Sequence, residues 1–320
     1  MDGDERAMFE ESIRQACRSS DGAALDGALD ALGWHDALSI DPGLAVSVLF
    51  GQMGRANTTA SALDAVVASA LGLKTGPSVG IVLPALGQWT PPGRVAGDGM
   101  EVRGVGTAAL VDAATAWVVA DAGGHALVGE VAVSDLSPRP VRGVDPQLSL
   151  VDVAGHSIPL AAPRRLQSGD WSRAVALAQL ALGHQLVGAS RAMVELARDH
   201  ALERVQFGRP IASFQAVRHR LAEALVATEA TDAALGSAWQ DGSSASAGWS
   251  KALAGRSART TTRHSQQVLA GIGFTTEHDL HHYVRRVLVL DQLFGTERSL
   301  TRELGRQLLA TRRLPPLPPL

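Results

Sequence analysis

The chain has 320 residues, 46% of them hydrophobic, with 29 Lys and Arg against 32 Asp and Glu for a formal net charge of −3, and one cysteine. That length allows two or three domains or subdomains and a sizeable core, and the near-neutral charge gives no global pull toward nucleic acid or a membrane surface. Cys17 stands alone, which excludes an intramolecular disulfide framework and a cysteine-rich metal site.

The N-terminus, MDGDERAMFEES, is charged and lacks an apolar leader core, and Gly, Asp or Arg interrupts every apolar run before it reaches membrane-spanning length. A soluble, cytoplasmic protein is expected. Residues 1–75 read as an N-terminal helical domain. FEESIRQACRSS, DGAALDGALDALG and ASALDAVVASALG place apolar residues at three- and four-residue spacing, with Asp21 and Ser61 as candidate caps.

From 76 to 165 the pattern changes. GPSVGIVLPALG, GMEVRGVGTAALV, AATAWVVADAGGHALVGEVAVSDL and LSLVDVAGHSIPL are short Val-rich runs divided by Gly, Pro and Asp, the pattern of a small antiparallel β domain. ADAGG, between WVV and ALV, is the expected hairpin turn.

Residues 166–313 return to helix. WSRAVALAQLALGHQLVGASRAMVELARDHALE is apolar around most of its circumference, which predicts a helix buried on several sides. FQAVRHRLAEALVATEATDAALGSAW, SAGWSKALAGRSARTTTRHSQQVLAG and a stretch over 280–311 broken near Gly295 complete a four-helix bundle. Residues 314–320 form a proline-rich tail that cannot continue a helix. The expected fold is α+β and mostly α: a helical domain, a small antiparallel β domain and a C-terminal four-helix bundle.

Two interruptions of the bundle carry candidate chemistry. In RVQFGRPIASFQ, Gly208 is expected to end the first bundle helix as a left-handed cap, with Pro210 stopping its return. On that reading alone the stretch is an interhelical turn around a buried Phe207. Yet Arg204 and Gln206 also present planar donors beside exposed backbone, which suits a phosphate. In QVLAGIGFTTEHDLHHYVRR, Gln267 precedes glycines at 271 and 273 that permit close backbone approach to a ligand. No strand precedes these glycines, which argues against a Rossmann site. The histidines at 278, 281 and 282 with Asp279 invite a metal reading, but such closely spaced side chains at a helix start usually diverge.

RVQFGRPIASFQAVRHRLAE (204–223), QVLAGIGFTTEHDL (267–280) and LFGT (293–296), in that order and spacing, resemble the C-terminal half of the acyl-CoA dehydrogenase flavoprotein family. The resemblance is specific over about 171–296 and looser elsewhere. It implies the same order of three domains, with an N-terminal portion shorter than usual. It implies FAD as cofactor, held across a subunit interface. The flavin's pyrophosphate and adenosine half would meet Arg204, Gln206, Phe207, Phe214, Gln215, Gln267 and Gly271. Ala270 replaces the first glycine of the family's Q-x-x-G-G-x-G pattern.

The reaction implied is α,β-dehydrogenation of an acyl-CoA thioester, which needs a carboxylate over the α-carbon. The family places that base at one of two points, which fall on Phe294 and Ala178 here, and neither can take a proton. The family's Thr-Glu-Pro stretch against the flavin ring is replaced by GIVLPALGQW (80–89), in which the proline alone survives. The catalytic assignment is therefore none. The resemblance narrows to the small subunit of actinobacterial α2β2 acyl-CoA dehydrogenases of lipid and steroid degradation, whose larger partner would carry the carboxylate. Two alternatives stand beside it: a self-sufficient homomeric enzyme with a relocated base, and a non-catalytic scaffold subunit. Glu195, Asp199, Asp291 and Glu297 read as solvated or ion-paired. Arg285 and Arg286 are candidates to meet phosphate or a partner's acid.

Overall fold

In the computed structural model, residues 3–76, 78–97, 99–159 and 161–312 are described; the tail expected at 314–320 lies outside the described residues. Five helices come first: α1 (Gly3–Ser19), α2 (Ala23–Ala31), α3 (Trp34–Ile40), α4 (Pro42–Ala56) and α5 (Ala62–Ala70). The sequence reading found three of these runs and missed α3 and α4. Pro42 opens α4 at a position where its missing N–H costs nothing, and the Asp41 carboxylate caps it by accepting from Leu44 N at 3.0 Å. Trp34 is fully buried and its indole donates to Ala45 O at 3.0 Å, tying α3 to α4. Ser61 does stand at the N-cap of α5 but makes no side-chain cap bond. Asp21 is not a cap: its carboxylate accepts from Thr59 N at 2.6 Å and ties the α1–α2 turn to the α4–α5 turn.

A sheet follows, built from β1 (Val79–Ile81), β2 (Leu83–Pro84), β3 (Gly93–Ala96), β4 (Gly99–Gly106), β5 (Thr115–Asp121), β6 (Ala126–Ala132), β7 (Arg139–Pro140), β8 (Val151–Ile158) and β9 (Ala161–Arg165), with the short α6 (Ala109–Asp112) between β4 and β5. The main path runs β7-β8-β4-β3-β5-β6-β9, with β1 on β5 and β2 on β4. Most pairs are antiparallel as expected, but β1–β5 and β3–β5 run parallel, and in neither pair are the strands consecutive in the chain. The ADAGG hairpin forms between β5 and β6, with Gly123 and Gly124 both at positive φ. One face of the sheet, including Ile81, Leu83, Val105 and Val119, joins the helical core; the other encloses Met100, Leu110, Val118 and Val153.

The bundle comprises α7 (Asp170–Glu203), α8 (Gln215–Asp241), α9 (Ser244–Leu269), α10 (Leu280–Leu290) and α11 (Glu297–Thr311). The long α7 is buried along most of its middle, as its all-round apolarity predicts. It packs on α8 and α9 on one side and on α4 on the other. The α4–α7 crossing is close because glycines meet there: a Cβ on Gly54 would lie 2.0 Å from Gln185 O, and one on Gly188 would lie 2.1 Å from Gly51 O. The backbones touch where any side chain would separate them. Arg286 on α10, buried to 1% exposure, pairs with Asp145 and donates to Thr58 O at 2.9 Å, joining bundle, β domain and N-terminal helices.

Candidate functional site

The bundle alternates direction, so α7 ends, α8 begins, α9 ends and α10 begins at one end of the molecule. All seven sequence-selected positions lie there. Helix α7 stops at Glu203, with Arg204 already extended at φ −72, ψ 116. A two-residue hairpin follows, β10 (Val205–Gln206) against β11 (Arg209–Pro210), whose tip is Phe207 and Gly208 at φ 55 and 79. Gly208 is thus the second turn residue, not the expected helix cap. Paired left-handed residues match the natural twist of a tight hairpin. Phe207 is not buried either: it is 90% exposed, and its ring meets Phe214 edge-on at 6.1 Å.

Gln206 and Arg209 are cross-strand partners and share a face of the hairpin. The Arg209 guanidinium stacks 4.4 Å above the Phe214 ring, which holds it without neutralising it. Arg209 is a residue the sequence reading missed. Only the hairpin register, invisible before the turn type was known, places it beside Gln206. Arg204 and Gln215, the first residue of α8, are both exposed.

The second element is the end of α9. Gln267 is exposed on its last turn, and a 3-10 turn, Ala270–Phe274, carries the glycines. A Cβ at Gly271 would meet nothing within 4 Å, so this backbone faces open space. Ala270 sits at φ 52, ψ −131, a conformation glycine adopts freely and alanine does not. The turn therefore keeps the shape of a glycine while carrying a methyl group. Phe274 is 72% exposed beside it. His200, on the last turn of α7, has its pKa lowered by burial first and then by neighbouring His278 and Arg204, so the two elements feel each other's charge. The His281 and His282 rings lie tilted at 39° with centroids 3.8 Å apart, and the His281 Nδ1 lies 2.8 Å from His278 O.

Two guanidinium groups, three amides and a backbone turn open to solvent form a donor set suited to a phosphate, and the exposed phenyl rings offer a face for a stacked base. That set fits the diphosphate and adenosine portion of FAD. Arg286, by contrast, is spent inside the chain on Asp145, and only Arg285 is exposed.

The positions expected to be bare of catalytic carboxylate lie elsewhere and converge. Ala178 is fully buried on α7, and the next residue, Gln179, donates through Nε2 to Phe294 O at 3.0 Å. Phe294 is 1% exposed, with φ 54, in the break between α10 and α11. The loop after β2 closes on the same break: Gly87 N donates to Gln292 O at 2.7 Å, and Trp89 lies against Gly295. Lys251, fully buried, reaches Asp291 O and Gly295 O at 3.3 Å each, and burial pushes its pKa down to about 8. Asp291 and Glu297 are both ion-paired with Arg259, Glu195 with Arg55 and Asp199 with Arg198.

Beside this closed region, between α2, α4, α5 and α7, is a cavity of about 600 Å³. It holds the buried Asp64, whose pKa burial pushes up to about 7 against the lowering effect of its Thr107 hydrogen bond. No helix among the described residues is long and apolar enough to cross a membrane.

Comparison with known proteins gives a consistent picture. Residues 172–309 match the family model for the acyl-CoA dehydrogenase C-terminal domain. The acyl-CoA dehydrogenase IpdE2 of Mycobacterium tuberculosis is 34% identical over 127 residues, 40% of this chain and 40% of that one. The acyl-CoA dehydrogenase FadE34 of the same organism is 35% identical over 176 residues, 53% of this chain and 24% of that one. The chain thus matches two fifths or less of the length of these relatives. Among solved structures, the steroid ACAD Tcur3481-Tcur3483 superposes with a TM-score of 0.80 at 20% identity, over 97% of this chain and 99% of that one. The ChsE4-ChsE5 complex from Mycobacterium tuberculosis gives 0.77 at 19% identity, over 98% and 97%. Butyryl-CoA dehydrogenase from Megasphaera elsdenii gives 0.74 at 16% identity, over 97% and 100%. At these identities the likeness is one of fold.

Proposed function

We propose that this chain, whose residues 172–309 match the family model for the acyl-CoA dehydrogenase C-terminal domain, is the non-catalytic subunit of a heteromeric acyl-CoA dehydrogenase. Acyl-CoA dehydrogenases are FAD-dependent flavoproteins. In this reading the chain lends its Arg204, Gln206, Phe207, Phe214, Gln215, Gln267 and Gly271 to an FAD whose reactive ring lies in a larger partner, in an α2β2 assembly. Arg209 joins them.

A single contrast carries the proposal. The end of the bundle that would grip phosphate is open, whereas both places for the base are packed shut by Phe294, Ala178 and their neighbours. A proton cannot be taken from a substrate α-carbon by a phenyl ring or a methyl group. FAD, when bound, supplies the acceptor for the β-hydride. This chain's own residues bind and orient: Arg204 and Arg209 neutralise phosphate charge, the amides of Gln206, Gln215 and Gln267 fix its direction, and Phe207 shields one side from water. The partner supplies the carboxylate. The acyl group is proposed to be a lipid or steroid thioester, in line with the named chemistry of the steroid ACAD that shares the fold.

The test is co-expression. The chain alone is expected to purify colourless, and the complex with a longer dehydrogenase-like partner bearing an acidic base is expected to be yellow and active. In that complex Arg204→Ala should weaken FAD retention by ~1.5–3 kcal/mol, the usual value of a charge-assisted contact. A yellow, active homomer of this chain, or full flavin occupancy in the Arg204→Ala complex, refutes the assignment. One observation favours a second reading, a self-sufficient enzyme with a relocated base: Asp64 is a carboxyl of near-neutral pKa lining a cavity. Turnover of an acyl-CoA by the lone chain, abolished by Asp64→Asn, would establish that alternative.

A further inference from the structure

The proposed function leaves the 600 Å³ cavity unused, and its lining is not that of an accidental void. Its size falls within the range of small-molecule sites, roughly 300–1,000 Å³. Leu29, Trp34, Phe50, Met53, Leu182 and Leu293 supply apolar walls from four helices and the α10–α11 break. Into this setting α5 brings Asp64, 3% exposed. Its Oδ2 accepts from Thr107 Oγ1 at 2.6 Å, while its Oδ1 is buried with no hydrogen-bond partner. A carboxyl left half-satisfied in an apolar wall costs stability, and such groups persist where a ligand completes them.

The charges around it narrow the ligand. Asp26 and Asp30 from α2, His35 from α3 and Asp112 from α6 also line the cavity. Asp26 accepts from Ser61 N at 2.8 Å, and its pKa is raised, chiefly by burial. His35 is engaged by Asp30 at 2.8 Å. The exposed Asp30 and Asp112 leave the rim acidic, which disfavours a small anion inside the cavity. We propose that this cavity is a binding site for a compact, uncharged, apolar molecule bearing a hydroxyl group, which completes the hydrogen bonding of Asp64.

Hydroxyl is the group that suits Asp64 in both protonation states. An ionised carboxylate only accepts and a neutral carboxyl also donates, and a hydroxyl answers either. A ketone answers the neutral form alone, and an ammonium the ionised form alone. The site makes no use of the flavin-gripping end of the bundle, so its test stands or falls independently of the proposed function.

The experiment is titration calorimetry on the full chain with four probes of one rigid hydrocarbon body: adamantanol, adamantanone, aminoadamantane and adamantanecarboxylate. Measurements are made on either side of neutrality, at about pH 6 and about pH 8, to bracket the Asp64 titration. Adamantanol is expected to bind tightest at both values, with adamantanone improving at the lower one. Asp64→Leu should weaken adamantanol roughly tenfold and remove its advantage over the ketone. Asp64→Asn, which preserves shape and both hydrogen-bonding roles, should keep adamantanol binding and abolish the pH trend of the ketone. The proposal is overturned if no probe binds, if the amine or the carboxylate is tightest at both values, if Asp64→Leu leaves adamantanol unchanged, or if the trend persists in Asp64→Asn.

Discussion

The buried carboxyl of Asp64 makes the stability of the whole chain depend on pH in a direction that can be worked out. Its ordinary pKa of 3.8 is raised to about 7 in the fold, first by burial, against the opposing Thr107 hydrogen bond. Between those two values the native state holds a proton that the unfolded chain has released. The contribution of Asp64 to stability should therefore be greatest below about pH 4, fall as pH rises through that window, and level off above about pH 7. At about 1.36 kcal/mol for each pH unit, the gap sets an upper limit of about 4 kcal/mol. Relaxation of the cavity lining on ionisation reduces this to an expected ~2–4 kcal/mol. Asp64→Asn removes the titrating group while keeping an acceptor for Thr107. Denaturant unfolding of both proteins across this pH range isolates the effect in the difference, since the other titrating groups are common to both. The wild type should match or exceed the variant near pH ~4 and fall below it by the stated amount near pH ~8. Asp26, also raised by burial, relaxes slightly in the variant and adds in the same direction. Parallel curves for the two proteins would refute the assignment of Asp64 as a buried, near-neutral acid.

Substitutions at three further contacts probe what sets the architecture. Arg286→Ala leaves Asp145 without its partner in a buried position and should cost ~3–5 kcal/mol, whereas Arg286→Met combined with Asp145→Leu should cost less than the sum of the two single changes; a thermodynamic cycle reads both. Gly188→Ala drives a methyl group toward Gly51 O, 2.1 Å from where it would sit, and should lower stability by about 3 kcal/mol in thermal unfolding as α4 is pushed off α7. Ala270→Gly relieves the positive-φ alanine of the 3-10 turn and should raise stability by ~1 kcal/mol, measurable as an increased denaturation midpoint.

The fold was legible where local pattern decides it. ADAGG formed its hairpin because two consecutive glycines fit a tight turn wherever it is placed, and α7 is central because no face of it is polar enough for water. Helices α3 and α4 escaped notice because GWHDALSIDPGLAVSVLF is short, broken by Asp-Pro-Gly and nearly uniform in apolarity, so no period stands out. Gly208 misled for a related reason. A glycine just past a helical run is the usual cap, but Val205 and Pro210 pair across the chain and pull the glycine into a hairpin tip instead. Arg209 and Asp64 were not legible at all. Arg209 acquires meaning from its register opposite Gln206 and its ring contact with Phe214. Asp64 acquires it from Thr107, 43 positions along the chain, and from walls contributed by four other helices.

If the proposed function holds, the absence of a carboxylate at Phe294 and Ala178 is built into a closed region and is more than a single missing side chain. The α10–α11 break could have left a pocket behind when no carboxylate occupied it. It is held shut from three sides instead: Gln179 binds Phe294 O from α7, Gly87 binds Gln292 O from the loop after β2, and Lys251 binds Asp291 O and Gly295 O from α9. Each of these groups satisfies backbone carbonyls that an open pocket would leave to water. A carboxylate set at Phe294 would be surrounded by apolar side chains and these spent donors, and burial would hold it protonated, unable to act as a base. The hydrogen bonds that seal the break thus oppose base chemistry at this position. At the far end of the bundle the opposite choice is visible: Phe207 and Phe274 remain exposed, and Ala270 holds a positive φ. Exposed aromatic rings and a strained turn are costs to an isolated chain, and under the proposed function a ligand, together with the surface that brings it, offsets them by covering that end.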